Sequence, residues 1–304
     1  MVRSARLYES LNVMRCGITL NRPLKSLLAM SLGSMKLRTT TLAKKHGLAR
    51  GSSTTQPSNI KQAIPVFSGD WSKQGLGYGQ VDTVVHSGPK LMGNMVYTVN
   101  FVDVATYWQE PIAQLNKSER ATLASLQLLQ KRLPFSLKGL HPDTGSEFVN
   151  WLAKDWCSEQ GIALTRSRPN KKNDNCFIEQ RNNVVVRNYL GYERFDCPEA
   201  VRAMNELYET LRLYLNFFQA TYKLIGKVSY ESLGQHRKGY RRLYDQPATP
   251  YYRLNSLPNG VFNQAQKVEL AKLYESLNPK LLRDRINSLT IKLRKVQKEL
   301  GYHY

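Results

Sequence analysis

Three carboxylates sit where they could act together on one substrate. Asp82 lies inside the β-branched run "QVDTVVH". Asp143 follows the strand pattern "SLKGLH", and Glu179 falls in the first turns of the helical pattern "CFIEQRNNVVVRNYL". Strands and helices hold side chains more rigidly than loops, so these mounts suit a preorganised site. Mg²⁺ (or Mn²⁺) prefers oxygen ligands and keeps several waters, so a few convergent carboxylates suffice to bind it. Two such ions roughly 4 Å apart activate a water or hydroxyl nucleophile and stabilise the leaving oxyanion of a phosphodiester. A natural assignment would have Asp82 hold both ions, with Asp143 and Glu179 each completing one. Each acid also has a plainer role: Asp82 as a paired strand residue, Asp143 as a turn or N-cap residue, Glu179 as an exposed helix acid.

The elements that must position these acids follow from periodicity. "QVDTVVH" and "MVYTVNFVDV" alternate as strands. Residues 117 to 132 have helical spacing with Ser118 as N-cap. The strand "SLKGLH" leads to Asp143, and "SEFVNWLAKDWCSEQ" predicts a helix stopped by Gly161. "IALT" is a further short strand. The basic loop "RSRPNKKNDN" precedes the helix that carries Glu179, which Gly191 stops. The order predicts a mixed sheet with helices packed on it. Beyond it, "EAVRAMNELYETLRLYLNFFQATYKLIG" reads as one long amphipathic helix and "YDQPATPYYRL" as an extended linker. Two closing helices break near Asn278 and Pro279. His86 and His141 share strand parity with Asp82 and Asp143, which places them either beside the acids or in structural roles.

The chain has 304 residues, with 44 Lys+Arg against 23 Asp+Glu, a formal net charge of +21. Such an excess points to a polyanion, with nucleic acid ahead of membrane. No apolar run approaches the roughly 20 residues of a membrane span. The four cysteines have no C-x-x-C spacing and read as free thiols of a reducing compartment. No acid occurs between Glu9 and Asp70 while Arg and Lys accumulate. That acid-poor start reads as a nucleic-acid-binding arm; a transit peptide has a similar composition. Around Glu179 the basic residues Arg166, Arg168, Lys171, Lys172, Arg181 and Arg187 suit phosphate contacts. Asn173, Asn182 and Asn183 suit contacts to bases or sugars.

Thirty-five residues separate Asp143 from Glu179, a spacing that resembles the DDE signature of transposases and retroviral-type integrases. The resemblance extends over "VDTVVHSG", "FVDVATYWQEP", "LPFSLKGLHPDTGSEFVN", "TRSRPNKKNDNCFIEQRNNVVVRNYLGYERF" and the C-terminal blocks, from about residue 54 to 290. In order and spacing these are similar to the integrase-core transposases of bacterial insertion sequences. Thr144 replaces the family's usual Asn in "DTG", and Asn183 stands where many integrases carry Lys. Asp103 matches a family acid outside the triad and is expected to bond the turn at Thr106.

The resemblance implies a ribonuclease-H-like α/β fold: a mixed five-stranded sheet with flanking helices, plus helical N- and C-terminal extensions. Expected boundaries are a basic helical arm over 1–53, a linker over 54–74, a catalytic core over 75–195 and a helical region over 196–304. It implies metal-dependent DNA cleavage and strand transfer by Asp82, Asp143 and Glu179 with two Mg²⁺ or Mn²⁺ ions. The partners would be element-end and target DNA and further copies of the chain, in the bacterial cytoplasm at the nucleoid. The alternatives are a truncated remnant that binds DNA without transposing, and a stand-alone nuclease. No zinc is expected, since the arm offers only Cys16 and His46. "GITLNRPLKSLL" is the sole helix-turn-helix fragment and Pro23 interrupts it. Binding through charge with little preference for element ends is therefore expected.

Overall fold

The computed structural model describes residues 59–89, 92–168, 172–231 and 238–299. The arm over 1–53, the helix-turn-helix fragment and Lys171 lie outside the described residues, as do the side chains of Lys172 and Asn173.

A five-stranded sheet forms from β1 (Tyr78–His86), β2 (Val96–Asp103), β3 (Gln109–Leu115), β4 (Gly139–His141) and β5 (Ala163–Leu164), in spatial order β3-β2-β1-β4-β5. The first three strands pair antiparallel, and β4 and β5 run parallel to β1. This is the mixed ribonuclease-H-like sheet expected from the sequence. Strand alternation assigns the two faces. Val81, Val99 and Phe101 pack with Leu126 and Leu129 of α2 (Glu119–Arg132) and Trp156 of α3 (Trp151–Glu159). Before these, α1 is the short helix Asn59–Ala63. Val84 and Val96 point the other way, into a cluster with Val185, Val186 and the Met204, Leu207, Tyr208 and Leu211 stripe. That stripe belongs to α5 (Pro198–Phe217). Asp82, two residues before Val84, therefore faces the layer that holds the Glu179 helix, α4 (Cys176–Arg181).

Strand β3 lies at the sheet edge, where unpaired backbone groups invite pairing with another chain. Helix α5 covers it. Asn205 accepts from the Ala113 N–H and donates to the Ala113 carbonyl, both at 2.9 Å. Asn216 does the same for Gln109, again at 2.9 Å. Three helical turns thus present two amides that mimic a missing strand.

The expected caps hold at several ends. Ser118 Oγ accepts from Ala121 N, and Gly161 and Gly191 take left-handed φ of 66° and 65° where α3 and the Glu179 helix stop. Four elements differ from expectation. Helix α3 begins at Trp151, because Asn150 accepts from Ala153 N (2.8 Å) and caps it; residues 143–149 are loop. The Glu179 helix passes at Asn182–Arg187 into a π-helical stretch that includes three consecutive valines, before a last turn at Asn188–Leu190. Wide turns of this kind are frequent at functional sites. The long helix after Pro198 ends at Phe217, where the leucine stripe ends, and "LIGKVSYE" instead forms β6 (Leu224–Glu231). It pairs antiparallel with β7 (Lys238–Tyr244), so the region expected to be wholly helical contains a β-ribbon. The expected linker gives way at Thr249, which caps α6 (Pro250–Asn255) with Pro at its first turn. The break at Asn278–Pro279 falls as expected, between α7 (Gln264–Ser276) and α8 (Pro279–Glu299).

Candidate active site

Asp82 stands in the middle of β1, opposite Asn100 of β2. Its Oδ1 accepts from the Thr83 N–H (2.7 Å) and its Oδ2 from Asn182 Nδ2 (2.7 Å). Asn182 Oδ1 in turn accepts from Asn100 Nδ2 (3.0 Å). Asn100 Oδ1 is buried with no partner among the described residues. Asn182, expected at DNA, is thus the residue that ties the Glu179 helix to Asp82. Gln80, two residues earlier on the same strand face, fixes the start of that helix. Its Oε1 accepts from the N–H groups of Phe177 and Ile178 (3.1 Å each), and its Nε2 donates to the Asp174 carbonyl (2.7 Å).

Asp143 follows β4 in the loop before α3, where its Oδ1 accepts from Gly145 N (2.8 Å). Glu147, four residues on, is buried and accepts from Thr83 Oγ1 (2.9 Å). A Cβ on Gly145 would lie 2.7 Å from Glu147 Oε2 and 2.9 Å from Asp143 Oδ1. The glycine of "DTG" is therefore the space between two carboxylates. Burial first, then the charge of Asp143 and more weakly that of Glu147, push the Asp82 carboxyl up to about 6, against the two hydrogen bonds it accepts. A carboxyl whose acidic neighbours oppose its ionisation belongs to a donor set that a hard divalent cation suits. Glu147 had a signal in the sequence, as the second acid of "DTGSEF". Thr83, Gln80 and Asn100 had none, since only the folded neighbours give them roles.

Glu179 is exposed on α4, one helical turn before Asn182 and so on the adjoining part of the same face. Among the described residues no three His, Cys, Asp or Glu side chains stand close enough together to hold a metal ion as arranged. The fit of a cation thus rests on Asp82 and Asp143, with Glu179 on an adjacent, anchored mount. The π-helical stretch begins directly after this turn.

The basic residues divide. Arg168 is exposed but closes on Asp174 through two hydrogen bonds from its guanidinium (3.0 and 2.7 Å). Arg166 donates to the Lys61 and Ile64 carbonyls (3.1 Å each) and pins the segment preceding the core. Arg187 bonds the Val85 carbonyl (3.0 Å) and lies over the Tyr192 ring. Arg181 differs from expectation, because it is only 4% exposed. Its guanidinium lies 4.8 Å from the Tyr107 ring centre, so this arginine is packed inside the fold rather than presented to a phosphate.

Both histidines turn away from the acids. His86 Nε2 bonds Thr98 Oγ1 (2.8 Å), which bonds the Tyr208 hydroxyl (2.7 Å), and burial pushes the imidazole down to about 3. The strand ends at His141, so its parity with Asp143 is lost. His141 bonds Thr165 and Ser167 and packs edge-on against Trp71. Asp103 has the expected structural role. It accepts from Thr106 N (2.8 Å), Thr106 Oγ1 (2.7 Å) and Gly77 N (2.8 Å), holding a turn in which Tyr107 takes a left-handed φ of 66°.

No protein-family model matches the chain. A curated relative, the uncharacterized protein y4rM of Sinorhizobium fredii (strain NBRC 101917 / NGR234), is 38% identical over 172 residues, covering 56% of this chain and 49% of that protein. The chain therefore spans about half the length of that relative. Among solved structures, the HTLV-2 integrase catalytic core domain in complex with magnesium aligns with a TM-score of 0.37 and 13% identity, over 48% of this chain and 91% of that one. The catalytic core domain of BIV integrase aligns with a TM-score of 0.35 and 17% identity, over 48% of this chain and 88% of that one.

Proposed function

We propose that this chain is a metal-dependent polynucleotidyl transferase that cleaves DNA strands and joins element ends to target DNA, as a bacterial transposase does. The observation that carries this reading is the acid site beside the sheet, where burial and the charge of Asp143 push the Asp82 carboxyl up to about 6. Asp82, Asp143 and Glu179 would hold Mg²⁺ or Mn²⁺, two ions in all. When bound, such ions supply an activated nucleophile and charge stabilisation at the leaving oxygen. The protein's own part is positioning. Gln80 and Asn182 fix the Glu179 helix against β1, and Gly145 leaves room for two carboxylates at the loop. Arg166, Arg168, Lys171, Lys172, Asn173 and Arg187 would hold the DNA backbone, with further copies of the chain engaging the second strand end. The protein would work at the bacterial nucleoid. Among the described residues no helix is long and apolar enough to cross a membrane.

A second reading, a remnant that binds DNA without cutting it, is favoured by the exposure of Glu179 and by Asn182 occupying Asp82 Oδ2. Incubating supercoiled plasmid with the full chain separates the two. Open-circular product should accumulate with Mg²⁺ or Mn²⁺, and not with EDTA or with Glu179→Gln. DNA binding without any nicking would favour the remnant; nicking untouched by Glu179→Gln would remove that residue from the site.

Gly145→Ala gives a finer check. A methyl group between Asp143 and Glu147 forces their oxygens apart. Because these are the far ends of side chains, the fold should survive. Mn²⁺ affinity, read by calorimetry, should fall by about 10–100-fold, the scale of a disturbed ligand surround. Unchanged affinity would show that the loop does not shape the site.

A further inference from the structure

Ribbon β6–β7 is not explained by the acid site. A two-stranded hairpin is marginal by itself in water, and none of this one's described side chains is fully buried. Across the strands Val228 faces Arg241 and Ser229 faces Tyr240, so successive pairs point to opposite sides. Ile225 is 60% exposed, Val228 50% and Tyr240 71%. Arg241 and Arg242 are exposed on opposite faces, and neither has an acidic partner among the described residues.

The root of the ribbon, by contrast, is clamped. Arg253 grips both carboxylate oxygens of Asp245 and donates to the Thr221 and Ala248 carbonyls. Lys223 Nζ donates to the Ala105 carbonyl (2.8 Å), in the same turn as Tyr107. The Arg253 guanidinium lies 5.4 Å from the Tyr107 ring centre, and that of Arg181, on the Glu179 helix, lies 4.8 Å from it. One tyrosine therefore joins the ribbon's root to the helix that carries Glu179. Between them lies an open cleft of about 490 Å³, bordered by Gln180, Val184, Tyr222 and Tyr244.

We propose that the β6–β7 ribbon is a second DNA-binding element, one that seats in a groove of duplex DNA flanking the cleavage point. This rests on the reading of DNA as the substrate. A two-stranded ribbon fits the major groove. Arginines on both faces would meet phosphates on the two groove walls, and the exposed tyrosines supply contact area that tolerates any base sequence. Exposed arginines with no acidic partner among the described residues favour DNA over a second protein strand as the occupant. The Tyr107 junction then holds the bound duplex at a fixed offset from Glu179.

The test measures binding in EDTA, so that it is independent of cleavage. Full-length wild type and R241A/R242A are titrated against a fluorescent 30-base-pair duplex across a salt series. The double variant should bind at least tenfold more weakly, and its log–log salt slope should be shallower by roughly 1.8, from about 0.9 per lost phosphate contact. An unchanged slope overturns the proposal. Should the variant fail to fold, phenylglyoxal footprinting of the wild type decides, since Arg241 and Arg242 should be protected by duplex. Protection by single-stranded DNA alone, or by raised protein concentration without DNA, would overturn the groove assignment. Plasmid nicking that persists beside a failed ribbon test leaves the enzymatic reading standing, while loss of nicking with an intact ribbon signal does the reverse.

Discussion

Asp82→Asn should abolish metal-dependent nicking and at the same time stabilise the metal-free protein at pH 7. The first effect follows from removing the charge that a cation requires. The loss should exceed about 100-fold, the upper end of what disturbed outer-shell partners cost. The second follows from linkage. Burial and Asp143 raise the Asp82 carboxyl from 3.8 to about 6 in the folded state. The raised group contributes stability fully present below pH 4, which is lost as pH rises through 6. Asparagine escapes that loss, and after allowance for partial solvent exposure the gain at pH 7 should be on the order of 1–2 kcal/mol.

The neighbours permit the exchange. Thr83 N–H can still donate to the new amide oxygen. If Asn182 and Asn100 both turn their amides over, Asn182 Oδ1 accepts from the new residue and its Nδ2 donates to Asn100 Oδ1, which has no partner among the described residues in the wild type. Melting curves at pH 7 and pH 4 check this: the variant should melt higher at pH 7, with the difference vanishing at pH 4. Equal melting at both pH values would refute the strain at Asp82, and retained nicking would refute its role.

Arg212→Ala should cause the largest loss of stability. Glu110 on the edge strand is fully buried, and Arg212 of α5 meets both of its oxygens (2.6 and 3.0 Å). Burial raises the Glu110 carboxyl, and Arg212 is the main opposing influence. Breaking such a pair leaves a buried charge with, among the described residues, one donor left: the Trp108 indole N–H (2.9 Å). The cost should be about 3–5 kcal/mol, a fall in melting temperature of roughly 10 °C for a domain of this size. Since the protonated acid needs no counter-charge, the deficit should shrink as pH falls toward 4. Glu110→Leu combined with Arg212→Leu should recover most of the loss, because an apolar pair carries no desolvation cost. A deficit as large at pH 4 as at pH 7 would place the defect in packing rather than charge.

Much of this was legible in the sequence, for local reasons. Period-2 alternation placed β1 and β2, and with them the face on which Asp82 stands. Ser118, Gly161, Gly191 and the break at Pro279 act through their own backbone geometry and needed no distant partner. Asp103 next to a turn read correctly because its two hydrogen bonds from Thr106 span three residues, while the bond from the distant Gly77 N–H left no trace in the sequence.

Contacts between distant segments decided the rest. Asn150 caps α3, and this turns residues 143–149 into the loop that brings Glu147 beside Thr83 and Asp82. Helical spacing over 199–226 could not show that the helix stops at Phe217, so the ribbon was invisible in the pattern. Charge alone could not separate Arg181, folded against Tyr107, from an arginine open to DNA. His86 and His141 share parity with the acids in the sequence pattern alone, and in the fold Thr98 and Thr165 claim their rings. Local periodicity fixes which element forms; which charges meet, and which group neutralises each one, is set by the path the chain takes between elements.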